Sequence, residues 1–141
     1  MEDCLFCKLV AGDIPSIKLY EDEKTIAFLD IYPIAKGHTL IIPKNHSATL
    51  YDISIEDAEA VGGTVSRVAK AVKKVLKCDG VNVYQGNEKA AMQEIFHVHF
   101  HVIPRFEGDE IVFMAQKTEL KEDPELTKAL TQALKLKIYY Q

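Results

Sequence analysis

The sequence predicts an α+β domain. It should hold a mostly antiparallel five-stranded sheet, one long mid-chain helix and a second helix towards the C-terminus. Three observations carry this. Short β-branched and aromatic runs are separated by turn residues rather than by helices, so neighbouring strands fold back on one another. From Ile55 to about Lys77 apolar residues recur every three or four positions, the period of a helix face. Residues 96–105, Phe-His-Val-His-Phe-His-Val-Ile-Pro-Arg, alternate strictly and read as a strand. With 141 residues, 48% of them hydrophobic, one domain spanning 1–141 is expected, long enough to bury a core.

In chain order, Leu9 and Val10 suggest a short helical piece stopped by Gly12-Asp13-Ile14-Pro15. Ile17 to Tyr20 and Thr25 to Leu29 read as strands joined by the charged turn Glu21-Asp22-Glu23-Lys24. After the loop signal Ile31-Tyr32-Pro33, a third strand runs through Thr39-Leu40-Ile41-Ile42. Ser54 is placed to cap the long helix, with an acid three residues on. Its stripe is Ile55, Ala58, Val61, Val65, Val68, Val72 and Val75. Gly62-Gly63 interrupts it at about 1 kcal/mol per glycine, which close packing against a neighbouring backbone would justify. Val81 to Tyr84 alternates as a strand. A polar loop follows, and then the histidine strand, which Pro104 should end. Ile111-Val112-Phe113 reads as a short strand and Pro124 to Leu136 as a helix, with Leu126, Leu130 and Ala133 on one face. The apolar tail Ile138-Tyr139-Tyr140 either docks or frays.

A net charge of −4 and the lack of a long basic run argue against a nucleic-acid partner. No apolar run approaches the roughly 18 residues of a membrane span. The acidic start, Met-Glu-Asp-Cys, is unlike a signal peptide, and three cysteines fit a reducing compartment better than a disulfide framework. A cytoplasmic protein is therefore expected. Cys78 has no partner in spacing and reads as a structural thiol. Cys4 and Cys7, a C-x₂-C pair, can be half a zinc site, a redox pair or two plain thiols.

On the histidine strand, His97, His99 and His101 would share one face at intervals of about 7 Å. Val98, Phe100 and Val102 would share the other. Three readings compete: a metalloenzyme, nucleophilic catalysis at phosphorus by an imidazole, and a buried histidine network. A third ligand about 14 Å along a straight strand is awkward for one metal ion.

The run His97-Val98-His99-Phe100-His101-Val102-Ile103 resembles the signature of the histidine triad (HIT) superfamily of nucleotide hydrolases and transferases. Cys4-Leu5-Phe6-Cys7-Lys8, Gly12 to Pro15, Ala27 to Ile31, Gly37 to His46 and Gln93 extend the resemblance, in order, to the Hint branch. It covers about residues 3–105 and implies a HIT-like fold. It also implies a hydrolase that splits a purine nucleoside phosphoramidate at its α-phosphate and releases AMP or GMP. His99 would be the nucleophile and form a nucleotidyl-histidine. His101 would bond the phosphate oxygens, and His38 would lie close to His97 or His99 in the proton network. Leu5, Phe6, Phe28 and Ile31 would wall the purine and Asp30 would accept from the ribose. Asn87 and Gln93 would contact the phosphate and ribose side. The Cys₂His₂ set of Cys4, Cys7, His46 and His97 would hold a structural zinc ion, with no catalytic metal needed. A homodimer is implied as well. The alternatives are a dinucleoside polyphosphate hydrolase of the Fhit type and a nucleotide-binding regulatory protein with vestigial activity. Two departures stand out. Met92 occupies a position where many relatives carry glycine. Glu94 stands where some Hint proteins carry a serine, and a carboxylate there would favour cationic amine leaving groups.

Overall fold

A computed structural model describes residues 3–113 and 117–138, without the side chains of 135–138. The chain forms two compact units, Met1–Glu110 and Ile111–Gln141. The first holds helix α1 (Leu5–Ala11), strands β1 (Lys18–Glu21), β2 (Thr25–Leu29) and β3 (Thr39–Pro43), helix α2 (Ile55–Leu76), and strands β4 (Gly80–Tyr84) and β5 (Phe100–Arg105). The strands make one antiparallel sheet in the order β1-β2-β3-β5-β4. The second unit contains helix α3 (Pro124–Ile138), whose first turn is capped by the Asp123 carboxylate accepting from the Leu126 N–H at 3.0 Å. Ile111-Val112-Phe113 is not a strand. Three apolar residues are too short a run for their composition to specify a strand. The tail beyond Ile138 lies outside the described residues.

Both faces of the central strands are covered, which is why β3 is buried throughout. On one face Val61, Val68 and Val72 of α2 pack on Ala27, Ile41 and Val102. On the other, Phe6 and Leu9 of α1 pack on Ile26, Phe28, Leu40 and Ile42. The helix stripe is displaced at its ends. Ile55 and Val75 are exposed, and Leu76, four residues after Val72, packs on the core instead. Buried Thr64 faces Thr25, their hydroxyls 2.7 Å apart, a polar pair inside an apolar stripe. Close packing does not explain the paired glycines. A Cβ at Gly62 would meet nothing within 4 Å, and at Gly63 only the flexible Arg67 side chain.

Two boundaries set the site. Gly12, at φ 81°, caps α1, as its lack of a Cβ allows. The ladder of β5 begins only at Phe100, so residues 96–99 approach the sheet without β pairing. They are tied instead by the Val98 N–H donating to the Ser47 carbonyl at 2.7 Å. Pro104 does not end β5. Its missing N–H faces the β3 side, where pairing stops at Val102, while Arg105 still accepts from Asp79 on the β4 side.

Candidate active site and metal cluster

Alternation survives the late start of the ladder. His101 pairs with Leu40 and Tyr84 on the α1 face, while Phe100 pairs with Ile41 on the α2 face. The rings of His99 and His101 lie 5.1 Å apart, and the edge-on Phe6 ring touches both His97 and His99, at 5.9 and 5.2 Å. His38, on the loop before β3, meets His101 rather than His97 or His99: its Nε2 lies 2.9 Å from His101 Nδ1. The reason is register, because Leu40 pairs with His101 and places the start of β3 beside it.

Hydrogen bonding fixes a tautomer for each ring, since a carbonyl only accepts and a backbone N–H only donates. His97 Nε2 lies 2.8 Å from the Pro43 carbonyl and must carry its proton, so its Nδ1 lone pair is free. His99 Nδ1 donates to the His97 carbonyl at 2.7 Å, which leaves Nε2 as an unprotonated nitrogen. His38 Nδ1 accepts from the Ile34 N–H at 3.0 Å. Its Nε2–H therefore donates to His101 Nδ1, and His101 carries its own proton on Nε2. One wall thus offers an imidazole lone pair beside an imidazole N–H. Burial pushes the pKa of every ring in this group down, His97 and His101 to about 4, so all are neutral near pH 7.

The free Nδ1 of His97 faces two thiols, 3.4 Å from Cys4 Sγ and 3.5 Å from Cys7 Sγ, and His46 Nδ1 lies 3.3 Å from Cys7 Sγ. The four donor atoms lie within 4.8 Å of one another. Two sulfurs and two imidazole nitrogens suit a tetrahedral zinc ion, and the Pro43 carbonyl fixes the His97 tautomer that such an ion needs. Burial, and then a hydrogen bond with the Cys4 side chain, raise Cys7 to about 11, so without a cation Cys7 is held as a thiol. A second triplet, Asp30, His38 and His101, is equally compact. It suits a cation poorly, because the Ile34 N–H occupies His38 Nδ1 and forces the proton onto the nitrogen a metal would need.

The expected nucleoside wall is only partly assembled. Phe6 and Phe28 are buried and in edge contact at 5.5 Å, and Asp30 lies 3.5 Å from His38 Nε2. Leu5 and Ile31 are exposed at the rim. Gln93 and Asn87 are engaged within their own loop. Buried Gln93 donates to the Ala48 and Ile95 carbonyls and accepts from the Glu88 N–H. Asn87 exchanges bonds with Gln85 and accepts from the Leu50 N–H. Glu88 and Met92 both have positive φ, 71° and 67°, so Met92 sits in a conformation that favours glycine. A cavity of about 550 Å³ flanks the thiol side, lined by Cys4, Leu5, His46, Glu94, Ile95 and Phe96 among others. Sequence reading missed Tyr84, whose ring packs 5.2 Å from His101, and the Ile34 amide. The β4 alternation could have placed Tyr84 on the histidine face. A backbone donor leaves no such signal.

Fold and site together define a nucleotide-handling α+β protein of the histidine-triad kind. The family model described as the HIT domain matches residues 11–108, and the chain belongs to that family. It is 46% identical over 109 residues to "Protein hit" of Bacillus subtilis, covering 77% of this chain and 75% of that one. It is 44% identical over 130 residues to the adenosine 5'-monophosphoramidase HNT1 of Saccharomyces cerevisiae, covering 90% and 80%. Among solved structures, a Zn-bound histidine triad family protein of Mycobacterium smegmatis is 38% identical with a TM-score of 0.76, covering 99% of both chains. A histidine triad nucleotide-binding protein of Candida albicans is 38% identical with a TM-score of 0.80, covering 98% and 99%.

Proposed function

We propose that the protein is a purine nucleoside phosphoramidate hydrolase acting at the α-phosphate. The observation that carries this reading is the pair of fixed tautomers. His99 Nε2 is an unprotonated nucleophile beside the Nε2–H of His101, on a wall whose rings are already oriented. Similarity to the yeast monophosphoramidase supports the substrate class.

His99 Nε2 attacks phosphorus as the bond from phosphorus to the leaving nitrogen breaks, and the departing amine takes a proton from solvent. Water then attacks the nucleotidyl-histidine, the bond from phosphorus to Nε2 breaks, and the nucleoside monophosphate leaves with its added oxygen. His101 donates to the phosphate oxygens throughout. A neutral wall suits this chemistry because protonation of His99 would remove its lone pair. Phe6 and Phe28 form the inner side of the base pocket, Leu5 and Ile31 its rim, and Asp30 takes the ribose hydroxyls. Asn87 and Gln93 hold the adjoining loop and reach the ligand only if their internal bonds are exchanged.

Cys4, Cys7, His46 and His97 would hold zinc, which would supply a structural clamp between the N-terminal segment and the segment that leads through His99 into β5. The His97 carbonyl that orients His99 belongs to that clamp. We extend the same reading to a cytoplasmic homodimer of single HIT domains. Among the described residues no helix is long and apolar enough to cross a membrane.

The test is AMP release from a lysine-linked adenosine phosphoramidate by the wild type and His99→Asn, with diadenosine triphosphate in parallel. Phosphoramidate turnover reduced at least about 10³-fold in the variant is expected. Faster cleavage of diadenosine triphosphate would assign the Fhit-type reaction instead. Tight AMP binding without turnover of either would assign a binding protein.

A further inference from the structure

The loop between β2 and β3 closes around one imidazole through its main chain. The Asp30 N–H donates to the His38 carbonyl and the His38 N–H to the Ala35 carbonyl, both at 3.0 Å. The Tyr32 N–H donates to Asp30 Oδ1 at 2.9 Å, and the Ile34 N–H donates to His38 Nδ1 at 3.0 Å. Gly37 makes the return, with φ 88° and a Leu76 methyl carbon 2.5 Å from where a Cβ would stand. The side chains of Ile31, Tyr32 and Ile34 meanwhile point outward, all more than half exposed. What the loop contributes to the site is therefore its backbone.

We propose that the backbone amide of Ile34 is a positioning group for the phosphate site. It selects the tautomer of His38 and, through it, the atom that His101 presents to substrate. This rests on the reading of His99 and His101 given above.

Two neutral imidazoles joined by a single hydrogen bond have two arrangements. Either His38 Nε2–H donates to His101 Nδ1, or His101 Nδ1–H donates to His38 Nε2. In the first, His101 offers Nε2–H to a phosphate oxygen. In the second it offers a lone pair, and two acceptors oppose each other. Heavy-atom positions in the pair are the same in both, so the pair cannot choose by itself. The Ile34 N–H makes the choice, because in the second arrangement His38 carries its proton on Nδ1 and donor meets donor. His38 is only 2% exposed, so water cannot relieve that conflict. Asp30 Oδ2, 3.5 Å from His38 Nε2, favours the same proton position. The amide also keeps His38 neutral, since a doubly protonated ring could not accept from Ile34.

The test uses long-range ¹H–¹⁵N spectra of the histidine-labelled full chain, recorded above the histidine titration range. Wild type should show His38 and His101 both protonated on Nε2. Ile34→Ala keeps the amide and should keep that pattern. Ile34→Pro removes the donor and should give mixed tautomers at His101 and about tenfold weaker AMP binding, with Ile34→Ala within about twofold of wild type. The proposal is overturned if wild-type His101 is protonated on Nδ1, if Ile34→Pro keeps the wild-type pattern, or if Ile34→Ala shifts as the proline variant does. Should the proline variant not fold, the wild-type spectrum, with an ester in place of the amide at position 34, decides in the same way. Correct tautomers in a wild type that turns over no phosphoramidate would leave this proposal standing and remove the hydrolase reading alone.

Discussion

The histidine wall and the loop before it, residues 85–94, are neighbours in sequence and opposites in construction. In the wall, each ring is oriented by a rigid main-chain group or by another ring: Pro43 for His97, the His97 carbonyl for His99, His38 for His101. In the loop, polar side chains satisfy one another and the local backbone, and two non-glycine residues hold left-handed φ angles. The imidazole nitrogens of the wall sit where packing and pairing allow one arrangement, as the proposed chemistry requires. A loop with two non-glycine residues at positive φ holds strain that the wall does not. Changes in the wall should therefore abolish function or stability, and changes in the loop should adjust them.

Breaking the wall should cost most. His97→Ala removes a fully buried ring that contacts Phe6, His46 and both thiols, and it should lower stability by about 3–4 kcal/mol in chemical denaturation. Zinc content should fall in the same variant, and unchanged content would remove His97 from the clamp. Gln93→Ala strikes the loop's one buried anchor. Loss of its bonds to Ala48, Ile95 and Glu88 should cost about 2–3 kcal/mol, with His99 unmoved in crystal structures.

Acid should distinguish the two regions next. The His101 ring titrates at about 4 when folded against 6.5 ordinarily, because burial penalises its charge and His99 and His38 add to the penalty. The unfolded chain therefore binds more protons in that window. The stability involved is complete above about pH 6.5 and is lost as pH falls towards 4. Stability measured against pH should slope by up to about 1.4 kcal/mol per pH unit per such ring, and less in His101→Gln. An equal slope in the variant would exclude His101 as a source.

Relieving the loop should give smaller gains. Glu88→Gly, at φ 71° and ψ 165°, should stabilise by about 1 kcal/mol, and Met92→Gly by about half of that once the entropy of glycine is counted. Gly62→Ala calibrates both from the opposite direction. It lies inside α2 with open space around its Cβ position, and alanine should add about 0.5–1 kcal/mol. If neither loop glycine stabilises, the loop is not strained and the contrast with the wall is one of polarity alone.

Much of this was legible in the sequence, and the failures share a cause. Strict alternation placed His99, His101 and Val102 on their faces, and helix periodicity placed Val61, Val68 and Val72 in the core. Spacing could not show that His38 would meet His101, because strand register decides that, nor that Pro104 would continue β5 where its neighbour strand had ended. Leu76 in place of Val75 is a drift of one residue at a helix end. The Ile34 amide was invisible because every residue except proline carries one. What sequence conceals here is the contribution of main-chain groups.

Cys78 has a practical consequence. Its thiol is 1% exposed at the end of α2, whereas Cys4 and Cys7 are only partly covered. With those two replaced by serine, the remaining thiol is out of reach of a thiol reagent until the segment between α2 and β4 opens. Alkylation followed over time would then read the opening equilibrium of the native state directly, with the protein's own atom as the clock.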